Sequence, residues 1–369
     1  MINSLLPRVA PPVQKSTTTP EAAPAPVPAP TASPYFKDAL EQVRPSRVNL
    51  TGESTSSAAV SASAKPAPLD SGGTSTEGPK LLHLDTGWTP QGQGYDAGRK
   101  EVLTTYYDDC RGVMLSVQDK DSGKETQQVK LGGLSPDHLA GAPSHGGGVS
   151  TDGEFVYVSD TKHLYVYSRE AIEQAAKDGT EVPALQVTEV PQPEDLKDPA
   201  TGIGLVSAGS YMTVKDGYAY VGAYSKDGDG KAGAVWRYKL DEDTGAIIEG
   251  SRQGPIRAPD RAQGMMVVDG ALLFTTGDRK LVYQPFDSSG GSFEADISKR
   301  KDIANGQIDP YAQGFNVVGN ELWVTYESGS HKYRDKLDSD FEPRESIQRI
   351  PLESLDLDEA GITPEHLQS

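Results

Sequence analysis

Five stretches of this chain share one pattern: a polar residue, a glycine close by, a short apolar strand, a tight turn, then a second and stronger strand. They read PQGQGYDAGRKEVLTTYYD, SHGGGVSTDGEFVYVSD, GSYMTVKDGYAYVGAY, AQGMMVVDGALLFTTGD and AQGFNVVGNELWVTYES. Aligning the second strands places Gln91, His145, Ser210, Gln263 and Gln313 in one column, at intervals of 54, 65, 53 and 50 residues. A repeat of roughly 50 residues built from about four short strands is the mark of a β-propeller blade. Radial closure of such blades removes the open sheet edges that a linear stack would expose.

Third strands follow in each copy as GVMLSV, LYVYSR, AVWRYKL, KLVYQPF and SIQRIPL, and fourth strands in TQQVKL and ALQVTEV. The fold class expected is therefore all-β, a propeller of five blades, with six as the alternative because the second interval is long. KLLHLD at 80–85 is placed to complete the last blade and close the ring between the chain ends. The long interval holds SREAIEQAAKDG, which reads as a short helix capped by Ser168 and ended by Gly179. It is expected as a surface excursion. The glycines beside the aligned column read as room for strands to converge near the axis.

The first 80 residues are of another kind. Their Pro/Ala/Ser/Thr tracts carry Tyr35 and Phe36 as the only aromatics, too little apolar surface to offset the entropy of ordering. The expected division is a disordered arm over 1–79, a propeller over 80–356 and a tail over 357–369. Residues 1–80 are nearly balanced in charge, and the remainder carries 28 basic against 47 acidic residues. A field of that sign repels phosphate backbones and anionic lipid, so a nucleic-acid partner is not expected. No stretch approaches the length of a membrane span, and the N-terminus lacks the apolar core of a secretory signal. A soluble monomer is expected, either cytoplasmic or exported by a route other than general secretion. Cys110 is the single cysteine and reads as part of a hairpin turn, with acidic neighbours that disfavour a thiolate.

The motifs PQG, HGGGVSTDGEFVYVSDT, GSYM, AQGM and WVTYESG resemble bacterial, often secreted, propellers of unassigned activity. In broad pattern, over about residues 82–353, the chain is similar to YVTN-type and gluconolactonase-like propellers. The second resemblance implies a channel metal such as calcium held by carboxylates, with an acidic residue as base. The aligned column does not supply that set, since calcium prefers several oxygens including carboxylates.

That column is expected at one mouth of the central channel, where blades converge polar groups on a ligand. The same residues also suit a purely structural role, tying neighbouring blades together. The nearest acids are Asp160 and Glu327, at the ends of FVYVSD and WVTYES; with His145 they form a candidate catalytic trio if the following loops fold over the mouth. Asp85 and Asp96 are the early acids a five-bladed glycosidase needs, with Trp88 to stack on a sugar, but they form no convincing set. SKDGDGKAG at 225–233 has Lys231 and Tyr238 where calcium ligands belong, and reads as a hairpin turn. The loop GSHKYRDKLDSDFEPRE reads as solvated, with Lys332, Tyr333 and Arg334 placed to overhang the channel. The six histidines show no metal-ligand spacing. The function expected is a non-catalytic scaffold binding a small molecule or protein at the channel mouth. No cofactor is expected for it. The alternative is a lactonase-like or glycoside hydrolase using Asp160, Glu327 and His145, with calcium as the one cofactor left open to it.

Overall fold

A computed structural model describes residues 75–134, 141–226 and 230–368. The arm read over 1–79 lies, up to residue 74, outside them, and so do the central residues of the 225–233 turn. Among the described residues the strands form five sheets, each meandering outward from the axis. Blade one runs Thr89–Asp96, Glu101–Asp108, Gly112–Asp119 and Glu125–Leu131. Blade two runs Gly148–Thr151, Phe155–Asp160, His163–Ser168 and Gln186–Glu189. Blade three runs Tyr211–Lys215, Tyr218–Gly222, Lys231–Lys239 and Gln253–Arg257. Blade four has Ala262–Val268, Ala271–Thr276 and Leu281–Asp287, with two short outer strands. Blade five has Ala312–Val318, Glu321–Tyr326 and Ser346–Pro351.

The fourth strand of blade five is Thr76–Lys80, antiparallel to Ser346–Pro351. Closure between the chain ends is as expected, but the strand is earlier than KLLHLD. Leu81 and Leu84 instead pack with Val102, Val318, Trp323 and Ile347 between blades five and one. The propeller thus begins within the stretch assigned to the arm. In the tail beyond 356, Leu357, Ile362 and Leu367 are buried against blades four and five.

The long second interval adds no sixth blade. It contains helix α1, Arg169–Asp178, capped by Ser168 accepting from the Ala171 amide and ended by Gly179 in the left-handed conformation. After it, Glu181–Val182 adds in parallel to the outer strand of blade one. Ile172 and Ala175 turn inward into the core between blades one and two. The helix therefore staples two blades and is not a free excursion.

Why these strands read as nearly continuous apolar runs follows from alternation. Successive side chains point to opposite faces, and each blade is covered on both. In Phe155–Asp160, Val156 and Val158 face blade one while Tyr157 faces blade three. Separate apolar clusters fill the gaps between blades one and two, two and three, three and four, four and five, and five and one.

The inner strands close a ring in which each packs against two neighbours. Their separation is small enough that glycine is required: a Cβ on Gly148 would lie 2.3 Å from the Met212 amide nitrogen. The second strands lock the ring with a hydroxyl column. Thr105 Oγ1 donates to the Gly146 carbonyl at 2.7 Å, Thr275 Oγ1 to the Gln313 carbonyl at 2.8 Å, and Thr325 Oγ1 to Gln93 Oε1 at 2.5 Å, each in the next blade. Ser159 holds the position in blade two, and in blade three it is Gly222, where the Tyr211 ring fills the space. Thr275→Val keeps the shape and strips the buried Gln313 carbonyl of its donor. It is expected to cost about 1–2 kcal/mol in urea unfolding; an unchanged midpoint would remove the hydroxyl from the account of ring closure.

Candidate functional site

Gln91, Gln263 and Gln313 lie in the first turns of their inner strands, Ser210 immediately before one, and His145 three residues before another. All five therefore stand at the starts of the inner strands, at one end of the ring. The members of this column differ in employment. Gln91 Nε2 donates to Glu327 Oε2 at 2.7 Å and to the Pro90 carbonyl at 3.0 Å. Gln313 also favours the charged form of the Glu327 carboxyl. Ser210 Oγ accepts from the Tyr224 amide at 2.9 Å. Gln263 is half-buried, and its side chain makes no hydrogen bond among the described residues.

Glu327 follows the second strand of blade five, and its amide donates to the Tyr311 carbonyl. Only 6% exposed, its carboxyl is pushed up to about 7, chiefly by loss of solvation; the two glutamines and the charges of Lys332 and Lys336 pull the other way. Tyr107 and Tyr333 stand beside it with their hydroxyls 3.3 Å apart. Burial raises both phenols, Glu327 raises them further, and both remain protonated.

His145 lies against Tyr107 with ring centroids 4.1 Å apart and the planes tilted by 37°. Burial, then the charge of Lys332, holds its imidazole well below the usual range. The histidine is thus neutral at physiological pH and acts here as an aromatic plate. Asp160 is buried and accepts from the His145 amide at 2.9 Å and the Ser144 amide at 3.2 Å. Burial raises its carboxyl, against those amides.

The structure joins Asp160 to the backbone of Ser144 and His145, and Glu327 to Gln91. Among the described residues, no hydrogen bond joins the two acids. Asp160 is the last residue of its strand, one beyond Ser159 of the hydroxyl column, while Glu327 stands one residue past the end of its own, two beyond Thr325.

The residue two beyond Thr105 is Tyr107, so Tyr107 and Glu327 share a register. Extending the alignment by two positions would have found it. Tyr311 and Tyr333, 5.4 Å apart, carried no such signal. Tyr333 is brought in by the overhanging loop: Lys332 reaches over the Tyr107 ring, 4.7 Å from its centroid, and pairs with Asp109 at 2.9 Å. Arg334 turns back to the Gly329 carbonyl and Glu345.

The other early acids stand apart. Asp85 is exposed in a short turn, and Asp96 ends its inner strand, at the end opposite Gln91. Trp88 is covered by the Arg111 guanidinium, 4.2 Å from the ring centroid. Cys110 is exposed at a hairpin turn. Among the described residues no three His, Cys, Asp or Glu side chains gather as metal ligands, and no helix is long and apolar enough to cross a membrane.

No family model matches this sequence, and no curated protein does. Among solved structures the chain is similar to the glutaminyl cyclase of Myxococcus xanthus, at 13% identity over 75% of this chain and 94% of that one, with a TM-score of 0.38. It is also similar to a putative 6-phosphogluconolactonase from Bacteroides uniformis, at 12% over 63% of each, with a TM-score of 0.37. The WD40 repeats of RRP9 match at 10% over 75% of this chain and 99% of that one, with a TM-score of 0.35. Likenesses of this strength assign no activity.

Proposed function

We propose that this chain is a ligand-binding propeller that takes a small polar molecule at the channel mouth, without chemistry of its own. The observation that carries this reading is Glu327. A buried carboxyl raised to about 7 destabilises the fold when ionised, and a glutamine there would satisfy the neighbouring amides without that cost. Groups retained at the expense of stability cluster at sites of function. The Tyr107 and Tyr333 phenols stand beside it, and the Gln263 amide lies at the start of the inner strand of blade four, a set suited to hydroxyls, amides and amines.

The test is a thermal-shift panel of polyols, amides and amines at pH 7.5. A compound that raises the melting temperature of the native chain and not of Glu327→Gln supports the reading, because binding to the folded state stabilises it. A panel without any such compound counts against it.

A hydrolase is the second reading, favoured by the near-neutral carboxyl, which suits a proton donor. It then rests on Glu327 with an acid or nucleophile brought by the substrate complex, since Asp160 is engaged by backbone amides. Turnover of lactone or glycoside substrates lost in Glu327→Gln would select it.

A further inference from the structure

The aromatic faces at the mouth are already in use, and by cations. Lys332 Nζ lies 4.7 Å from the Tyr107 ring centroid, and Lys336 Nζ lies 4.6 Å from that of Tyr333. Both ammonium groups come from the loop that overhangs the mouth, and both act on Glu327. Two tyrosine rings, the His145 ring packed at a tilt against one of them and a carboxyl beside them form the kind of surround that favours an ammonium ion. Ring quadrupoles attract it, and the carboxylate sets its charge.

From this placement we infer that the mouth is a site for the ammonium group of an organic cation, and that Lys332 occupies part of that site in the unliganded protein. This deepens the reading of the mouth as a ligand site and rests on it. The charged and titratable groups facing the site are Glu327 from blade five, Asp109 from blade one, His145 from blade two, and Lys332 and Lys336 from the overhanging loop. Lys332 is tethered, so it is a competitor at high local concentration. Its release costs a single exposed ion pair to Asp109 and one cation–aromatic contact. The excess of acidic residues beyond position 80 draws cations toward the domain.

The test uses choline and its uncharged isostere 3,3-dimethylbutan-1-ol, measured by titration calorimetry at pH 8 on the full chain. Lys332→Met keeps the aliphatic stem and removes the charge; Lys332→Arg keeps the charge. The expected result is that choline binds Lys332→Met about tenfold more tightly than the native chain or Lys332→Arg. The isostere should bind Lys332→Met about tenfold more weakly than choline does. Tyr107→Leu added to Lys332→Met should abolish the gain, with circular dichroism confirming that the double variant is folded. Equal choline affinity in the native chain and Lys332→Met overturns the inference, and so does isostere binding as tight as that of choline. If polyols or amides from the thermal-shift panel bind while choline does not, the cation inference falls and the ligand-site reading stands. If nothing binds any of these proteins, both fall.

Discussion

Glu327→Gln is expected to melt about 5 °C above the native chain at pH 8 and at nearly the same temperature at pH 4.5. The carboxyl is raised from 4.5 to about 7 in the folded protein. The folded state therefore holds its proton more tightly than the unfolded chain does. Below 4.5 both states are protonated and nothing is lost. Between 4.5 and 7 the unfolded chain releases the proton first, so native stability falls as pH rises through this window. Above 7 both are ionised, and the full penalty of the buried charge, about 3 kcal/mol, is present. Glutamine has no such penalty. The Gln91 and Gln313 amides can turn to meet its carbonyl and amide, so the hydrogen bonds are retained in number. A domain of this size converts about 3 kcal/mol into a shift of roughly 5 °C. Asp160 titrates in the same direction in both proteins and cancels in the difference. Melting curves of the two proteins from pH 4.5 to 8.5 decide the matter: parallel curves would mean that the carboxyl is not burdened by its site. If the variant also loses ligand binding, stability has been exchanged for function at one residue.

The same residue shows what a sequence can and cannot say about a ring. Five copies of one pattern were enough for the blade count, the inner strands and the column at the mouth, because packing on both faces imposes a period of two that survives divergence. Glu327 and Asp160 do not occupy equivalent places: Asp160 closes its strand, one residue beyond the hydroxyl column, and Glu327 stands one residue past the end of its own, two beyond that column. Comparing whole copies by eye hides this, and counting from the hydroxyl column Thr105, Ser159, Gly222, Thr275 and Thr325 reveals it. Tyr333 and Lys332 were legible only as residues placed to overhang. The loop between the second and third strands of blade five has no counterpart in the other copies, so no column constrains where it lands. The closing strand Thr76–Lys80 was read slightly late because TEGPK carries no apolar alternation. It adds to an edge by backbone hydrogen bonding, which asks little of the side chains, and Pro79 falls where the register shifts between Glu77 and Lys80.

Gly314→Ala is expected to unfold far more readily than any surface variant of this chain. A Cβ at that position would lie 2.1 Å from the Gln93 amide nitrogen and 2.8 Å from the Gly92 carbonyl carbon. Both are backbone atoms of the neighbouring inner strand, so no rotamer change can relieve the contact. The strands of blades five and one must move apart, and with them the contacts that close the ring there: Thr325 Oγ1 on Gln93 Oε1, Gln93 Nε2 on the Trp323 carbonyl, and Gln91 on Glu327. Overpacking of this kind costs about 3 kcal/mol or more. The fitting control is Gly98→Ala, whose new Cβ would find its nearest neighbour, Asp96 Oδ1, at 3.5 Å; a turn substitution of that sort changes stability by about 0.5 kcal/mol or less. Urea midpoints that coincide for the two variants would show that the inner strands are not held at the separation seen here. A large loss for Gly314→Ala alone locates the constraint in the ring. It would also uncouple Glu327 from Gln91, so that on the proposed reading ligand binding at the mouth is expected to fail in that variant before the fold does, at urea concentrations the native chain tolerates.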